Sequence, residues 1–511
     1  SAKLLERTGD WYSKFSKIAL LAALCALAVG YFQMFQTLAS TGQDNTPDGR
    51  AWIYHVTGLM GHKNEYSSYL MLLLPFTIYL AIYRKGWLKI SSATVTGLMV
   101  IMLFLLTTRA VWVGIIVAAS FIALLIWLKS KWFSVPERLA KRVGLGVLFI
   151  LILIIAGTLD GGKYTVNSCL EKLGSIVRPS VDNNHFRLKI WQITGKMAMD
   201  HPLTGVGAGN WQIEIPEYYH KINLKGKEIN WLSPHNDYAW ILSEKGIPGL
   251  LLYLSVIFSV FSMFFKIASG TALKQTKIQA LLIMGGFTAY LTVAFFDFPY
   301  QRVDHQILFA LMIGGLLALS SQRSSETKTT VHRNTVMIPV MIFLAVSLFY
   351  SIAVVNMQVH LKKMMALMNR SEWTPAENEV QKAKTPLKSL DAQGSPVEYY
   401  SGMIQDQQGN EKAALLSYQE ALSEHPNHLA VLNNLGRSYF SMGYYGLAEH
   451  YYLKALQIVP GYLETRVNLA TLYYQRNLPA KALEQLTAIK GVRKPDVVKK
   501  NTQVLDRKSV V

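Results

Sequence analysis

The chain has 511 residues, of which 51% are hydrophobic and 16% charged, with a formal net charge of +19. That balance describes a polytopic membrane protein carrying some soluble mass and excludes an ordinary soluble enzyme. The basic excess does not indicate nucleic-acid binding: no recognition motif accompanies it, and most of the Lys and Arg that can be placed lie in short loops between apolar runs.

Apolar runs long enough to cross about 30 Å of hydrocarbon lie near residues 17–37, 66–83, 90–108, 110–128, 142–159, 247–265, 278–297, 306–321 and 336–356. They predict nine spans. Only Arg109 separates the third from the fourth, so the chain must reverse tightly there or form one broken unit. Lys and Arg are dense in alternate loops (Lys3, Arg7, Lys14 and Lys17; Arg84, Lys85 and Lys89; Lys129, Lys131, Arg138, Lys141 and Arg142; Lys266, Lys274 and Lys277; Arg323, Lys328 and Arg333) and sparse in the others (Arg50, Lys63, Arg109, Arg302). The dense set is expected to be cytoplasmic. The loop at about 160–246 and the C-terminal region then lie outside. The chain starts at Ser1 without a signal-peptide core, so a processed or truncated product is expected. Its two cysteines, Cys25 and Cys169, predict no intrachain disulfide.

Beyond residue 395 the long apolar runs give way to a period of 34: Gly409 with Gly443; Ala414, Ala448 and Ala482; Tyr418 with Tyr452; Ala421 with Ala455; Pro426 with Pro460; Leu435 with Leu469; Tyr439 with Tyr473. This pattern resembles tetratricopeptide repeats, in which small Ala lets paired helices approach and Tyr and Leu fill between them. The expected organisation is a transmembrane domain over 1–357, a linker or divergent helical repeat over 358–394, repeats over 395–490 and a basic tail over 491–511. The repeats are read as a surface for a protein partner or as a rigid cap.

Chemistry is expected on the outer face. Arg109 lies between two apolar runs, where an ionisable group is costly enough to suggest function, against the plainer reading of an arginine snorkelling to lipid phosphate. In the outer loop Arg187 and Trp191 are one helical turn apart and share a face. Gly205, Gly207 and Asn210 belong to Gly205-Val-Gly-Ala-Gly-Asn210, which mimics a dinucleotide fingerprint but reads better as a tight turn beside substrate. His235 precedes Asn236, a natural helix cap, and Glu244 follows as a group to orient His235 or pair with Lys245. His185, His201, His220 and His235 share the loop without close ligand spacing, so no metal is expected.

Taken together, Gly61-His-Lys-Asn64, Thr108-Arg109, Arg187 with Trp191, His201-Pro through Gly205-Val-Gly-Ala-Gly-Asn210, and His235-Asn236 through Glu244-Lys-Gly246 resemble the O-antigen ligase and O-antigen polymerase superfamily, which includes bacterial O-linked oligosaccharyltransferases. The resemblance implies an all-α membrane bundle of the GT-C type in the bacterial inner membrane. It implies a glycosyltransferase without a cofactor that takes a glycan from undecaprenyl diphosphate and passes it to lipid A core, another glycan or a protein hydroxyl. His235, Arg109 and Arg187 are the expected catalytic residues. Asn236, Trp191, Gly205, Gly207, Asn210 and Glu244 are the expected substrate-binding ones. Such proteins have about twelve spans, so three or so N-terminal helices are expected to be missing here. Gly-His-Lys-Asn also departs from the family's Gly-Asn-Pro-Asn. A lipid-linked glycan transporter and a repeat-based scaffold are the readings from other classes.

Overall fold

A computed structural model describes residues 11–40, 55–145 apart from 143, 183–221, 231–321 and 333–489. The described residues are helical and form no strand, with a single isolated β-bridge between Leu390 and Pro396. Most of the span expected at 142–159, Cys169 and the basic tail lie outside them. Eight helices among them are long and apolar enough to cross a membrane, and these coincide with the other eight expected runs. They are α1 (Trp11–Ser40), α2 (Lys63–Tyr83), α3 (Gly86–Leu106), α4 (Arg109–Leu128), α7 (Asp237–Ser269), α8 (Lys274–Phe296), α9 (Val303–Ser321) and α10 (Arg333–Met368). The chain of the outer loop forms α5 (Asn183–Asp200) and the short α6 (Trp211–Glu214), continued by a 3-10 turn over Ile215–Lys221.

The chain divides into two compact units. The first comprises 1–191, 234–242 and 247–328, and the second 192–233, 243–246 and 329–511. In the first, α2 and α8 are the central helices. Tyr66, Leu70, Phe76 and Tyr79 on α2, and Ile283, Phe287 and Tyr290 on α8, are all but inaccessible. α3 and α4 instead leave Ile90, Ile101, Phe104, Leu124 and Leu128 exposed, the apolar surface a bilayer would cover. Buried hydroxyls tie the centre together: Tyr66 donates to the Ala26 carbonyl at 2.9 Å, and Tyr79 accepts from Gln275 at 2.9 Å. The tight reversal at Arg109 is present. α3 ends on Thr107 in the left-handed region (φ 51°), and α4 starts two residues later with Arg109 itself.

In the second unit, Met357, Leu361 and Met364 of α10 pack on Ala376, Val380 and Ala383 of α11 (Trp373–Ala383), so a helical hairpin occupies much of 358–394. Three further hairpins follow: α12 (Val397–Gln407) with α13 (Glu411–Glu424), α14 (Leu429–Ser441) with α15 (Tyr445–Ile458), and α16 (Leu463–Gln475) with α17 (Pro479–Thr487). The 34-residue period has a direct physical basis. Ala414, Ala448 and Ala482 are fully buried, and Gly402 and Gly436, again 34 apart, lie under the rings of Tyr418 and Tyr452. A Cβ at Gly436 would come within 2.4 Å of the Tyr452 ring.

His428 caps α14, its Nδ1 accepting from Val431 N at 3.3 Å while Nε2 meets Ser395 Oγ at 3.2 Å. Burial pushes His428 down to about 4 and, with the neighbouring His428 adding to it, pushes His425 down to about 3. The unfolded chain takes up these protons near 6.5, whereas the folded chain refuses them until well below that. Stability is therefore lost as pH falls from about 6.5 towards 4, by on the order of 1 kcal/mol per pH unit for each histidine. The variant His425→Leu/His428→Gln should show a correspondingly flatter fall in melting temperature between pH 7 and 5 by circular dichroism. A fall as steep as the parent's would refute the assignment.

Candidate functional site

α8 ends at Asp297, and a short 3-10 turn over Pro299–Gln301 leads to α9. The Asp297 side chain is 7% exposed, and a carboxylate so placed needs compensation. Phe298 N donates to it at 3.0 Å, and Arg302 Nη2 reaches both of its oxygens at 3.2 Å. Arg302 also lies 3.4 Å from Glu65 at the start of α2, and its guanidinium sits 4.6 Å from the centre of the Phe298 ring. Burial opposes ionisation of Asp297, yet His235 and Arg302 outweigh it and hold the carboxyl below its ordinary range.

His235 stands at this carboxylate. Its Nδ1 is 3.7 Å from Asp297 Oδ1, an electrostatic contact rather than a hydrogen bond, and its ring meets the edge of Phe298 at 5.1 Å. Nδ1 is buried, while 39% of the side chain remains exposed, so the rest of the ring is what a substrate can reach. The backbone here is strained: His235 has φ 51°, a left-handed conformation costing a β-carbon-bearing residue on the order of 1 kcal/mol. Two neighbours hold it. Asn236 caps α7 by accepting from Ala239 N at 3.0 Å, and Trp191 Nε1 donates to the Pro234 carbonyl at 2.8 Å while its ring packs on Phe295. Asp237, fully buried, accepts from Tyr300 N at 2.9 Å and so ties α7 to the turn after α8.

Arg109 and Arg187 belong to the same unit. Burial lowers the Arg187 pKa, the charge of Asp297 opposes the lowering, and the charge of Arg109 adds to it, so all three groups interact electrostatically. Unlike Arg302, neither Arg109 nor Arg187 has an ion-pair partner among the described residues. Arg109 opens α4 after Thr108, whose hydroxyl bonds Ser67 Oγ at 2.8 Å and does not cap the helix. A helix N-terminus beside a guanidinium favours an anion. His62 caps α2 by accepting from Asn64 N at 3.1 Å and feels Glu65, Asp297 and Arg302, which puts the Gly61–Asn64 turn at the same end of the unit.

The remaining expected binding residues lie in the second unit and are engaged in building the turn. Gly205 (φ 65°) lies against the backbone of Glu244, where a Cβ would come within 2.2 Å. Val206 N and Gly207 N donate to the carbonyls of Ser243 and Glu244, and Asn210 Nδ2 donates to Val206 O at 2.9 Å. Glu244, expected to orient His235 or pair with Lys245, is buried and receives Trp211 N at 3.4 Å. The carboxylate at His235 is Asp297 instead. Among the described residues no cluster of three or more His, Cys, Asp or Glu is placed to hold a metal ion. His201 is exposed, and the side chains of His185 and His220 lie outside the description.

The sequence carried signals for the missed residues. Asp297 and Arg302 are charges at the ends of apolar runs, and that position alone marked them as costly. The pairing of Asp297 with His235, more than sixty residues earlier, had no sequence signal.

Residues 94–254 match the O-antigen ligase family, and residues 429–462 match the tetratricopeptide repeat. A search of curated proteins finds no match. Among solved structures, a crystal structure of MamA is 22% identical, over 26% of this chain and 76% of that one, with a TM-score of 0.24. A second MamA structure is 15% identical, over 27% of this chain and 78% of that one, with a TM-score of 0.23. At those scores the likeness carries no argument here.

Arg302→Met removes the main charge compensation of the buried Asp297 and should cost on the order of 3 kcal/mol, while Arg302→Met/Asp297→Asn should recover much of it. Thermal unfolding of the detergent-solubilised protein measures both. Equal stability of the single and double variants would refute the compensation.

Proposed function

From the premise that residues 94–254 form an O-antigen ligase domain, we propose that the chain transfers a glycan from undecaprenyl diphosphate to an acceptor hydroxyl at the periplasmic face of the bacterial inner membrane. One observation carries this reading: a half-exposed imidazole backed by a buried carboxylate shares one unit with two guanidiniums unpaired among the described residues. The periplasmic face follows from the distribution of Lys and Arg among the loops.

In the proposed reaction the acceptor oxygen attacks the anomeric carbon. The bond from that carbon to the diphosphate oxygen breaks, and the diphosphate leaves with both electrons of the bond. The step needs neutralisation of the leaving group and removal of the hydroxyl proton. Arg109 and Arg187 serve the first need, because a guanidinium pairs with phosphate oxygens as a fork and keeps its charge. His235 takes the proton, and Asp297 stabilises the imidazolium that forms. Asn236 and Trp191 position His235. Gly205, Gly207, Asn210 and Glu244 bear on substrate through the loop they build.

Ligase, polymerase and protein O-oligosaccharyltransferase share this chemistry and differ in the acceptor. The repeats favour a large or proteinaceous acceptor, or a protein partner. A transporter of the same lipid-linked glycan would use the arginines to bind without turnover, and a scaffold would use only the repeats.

With a lipid-diphosphate glycan and a panel of acceptors, His235→Ala should lower transfer at least about 100-fold while membrane abundance stays normal. A wild-type rate would sink the base assignment. Arg109→Lys should lose on the order of 100-fold, since a point charge does not replace the fork. A mild loss would favour an arginine that merely snorkels, and translocation without transfer by the parent chain would favour the transporter.

A further inference from the structure

The second unit contains a cavity of about 240 Å³ bounded on one side by the outer-loop segment at Gln212–Tyr219 and on the other by the first repeats, from Gln393 to Tyr462. Three tyrosines line it: Tyr219 from the loop, Tyr399 from α12 and Tyr462 from the start of α16. Gln212, Gln393 and Asn427 add side-chain amides, and Ser395 adds a hydroxyl. Two histidines complete the wall, and burial keeps both uncharged, His425 pushed down to about 3 and His428 to about 4. Among the described residues lining the cavity none is an acid, a lysine or an arginine.

The His425 side chain is 4% exposed, and its Nδ1 is buried without a hydrogen-bond partner. A buried polar atom left so is costly unless something fills its need. Its neighbour His428 is already engaged, by Val431 N at one ring nitrogen and Ser395 at the other.

We infer that this cavity is a binding subsite for one ring of a neutral sugar, part of the glycan acceptor or of the glycosylated product. Tyrosine faces pack against the C–H faces of a pyranose, and uncharged amides, imidazoles and hydroxyls both donate to and accept from its hydroxyl groups. A wall without formal charge suits a neutral sugar and disfavours phosphate, uronate or a charged peptide. Asn427 also lines an adjoining cavity of about 650 Å³ whose wall includes Glu214, Glu217 and Lys454, through which a longer glycan would continue. The role as acceptor or product rests on the proposed glycosyl transfer, but the sugar site itself does not.

The test uses the full chain in detergent micelles and saturation-transfer NMR with the methyl glycosides of glucose, galactose, mannose, N-acetylglucosamine and N-acetylgalactosamine. At least one should bind the parent chain, and His425→Leu, which replaces a polar wall residue of the cavity at similar volume, should weaken it about fivefold. Gln393→Ala alters an exposed rim residue and decides the matter if His425→Leu does not fold. No binding of any glycoside by the parent, or equal binding by the folded variants, overturns the inference. A chain that transfers glycan yet binds no glycoside loses this inference alone, whereas one that binds a glycoside at His425 but transfers nothing loses only the proposed reaction.

Discussion

Burial of the Asp297 carboxylate at the end of α8 is the constraint on which the rest of the first unit's polar end depends. An ionised carboxylate in a site 7% exposed is stable only beside fixed partners. Arg302 supplies a charge and two hydrogen bonds, Phe298 N a third, and His235 a further cation when protonated. Because Arg302 in turn reaches Glu65, this one compensation joins α2, α8 and α9, and through His235 it fixes the entry to α7. Helices that offer each other apolar surface inside a bilayer gain little orientation from it, so polar contacts of this kind set their register.

The same arrangement separates two kinds of arginine. Arg302 is committed to structure, since its charge is already balanced by two carboxylates. Burial and the charge of Arg109 lower the hold of Arg187 on its proton, and neither arginine has an ion-pair partner among the described residues, the condition under which an incoming dianion is attracted. His235 adds a third sign of function, a strained left-handed backbone held by the Asn236 cap and by Trp191 on the Pro234 carbonyl. Strain of this kind persists where neighbours over-determine a geometry that serves chemistry.

The second unit is organised by a different rule. Its hairpins repeat because an alanine or glycine on one helix admits a tyrosine ring from the next, as at Gly402 under Tyr418 and Gly436 under Tyr452. The outer-loop segment 192–233 and the residues 243–246 belong to this unit, and the close approach of Gly205 to the Glu244 backbone joins them. The glycine-rich stretch thus does packing work, and its likeness to a nucleotide-binding loop is incidental.

By itself the sequence determined the spans and the repeats, because both are written in local patterns. Eight of the nine apolar runs are helices long enough to cross a membrane among the described residues, and the alanines and leucines of the 34-residue period, with Tyr418 and Tyr452, are buried where the helices pack. It also marked Arg109 by a charge between two apolar runs, Arg187 and Trp191 by one-turn helical spacing, and His235 by the helix cap that follows it. What only the tertiary structure decided is which groups meet: Asp297 and not Glu244 stands at His235, and Arg302 is consumed where Arg109 and Arg187 are not. The pairs His235–Asp297 and Arg302–Glu65 span gaps of tens to hundreds of residues, and their energies come from distance and desolvation, which exist only once the helices have packed.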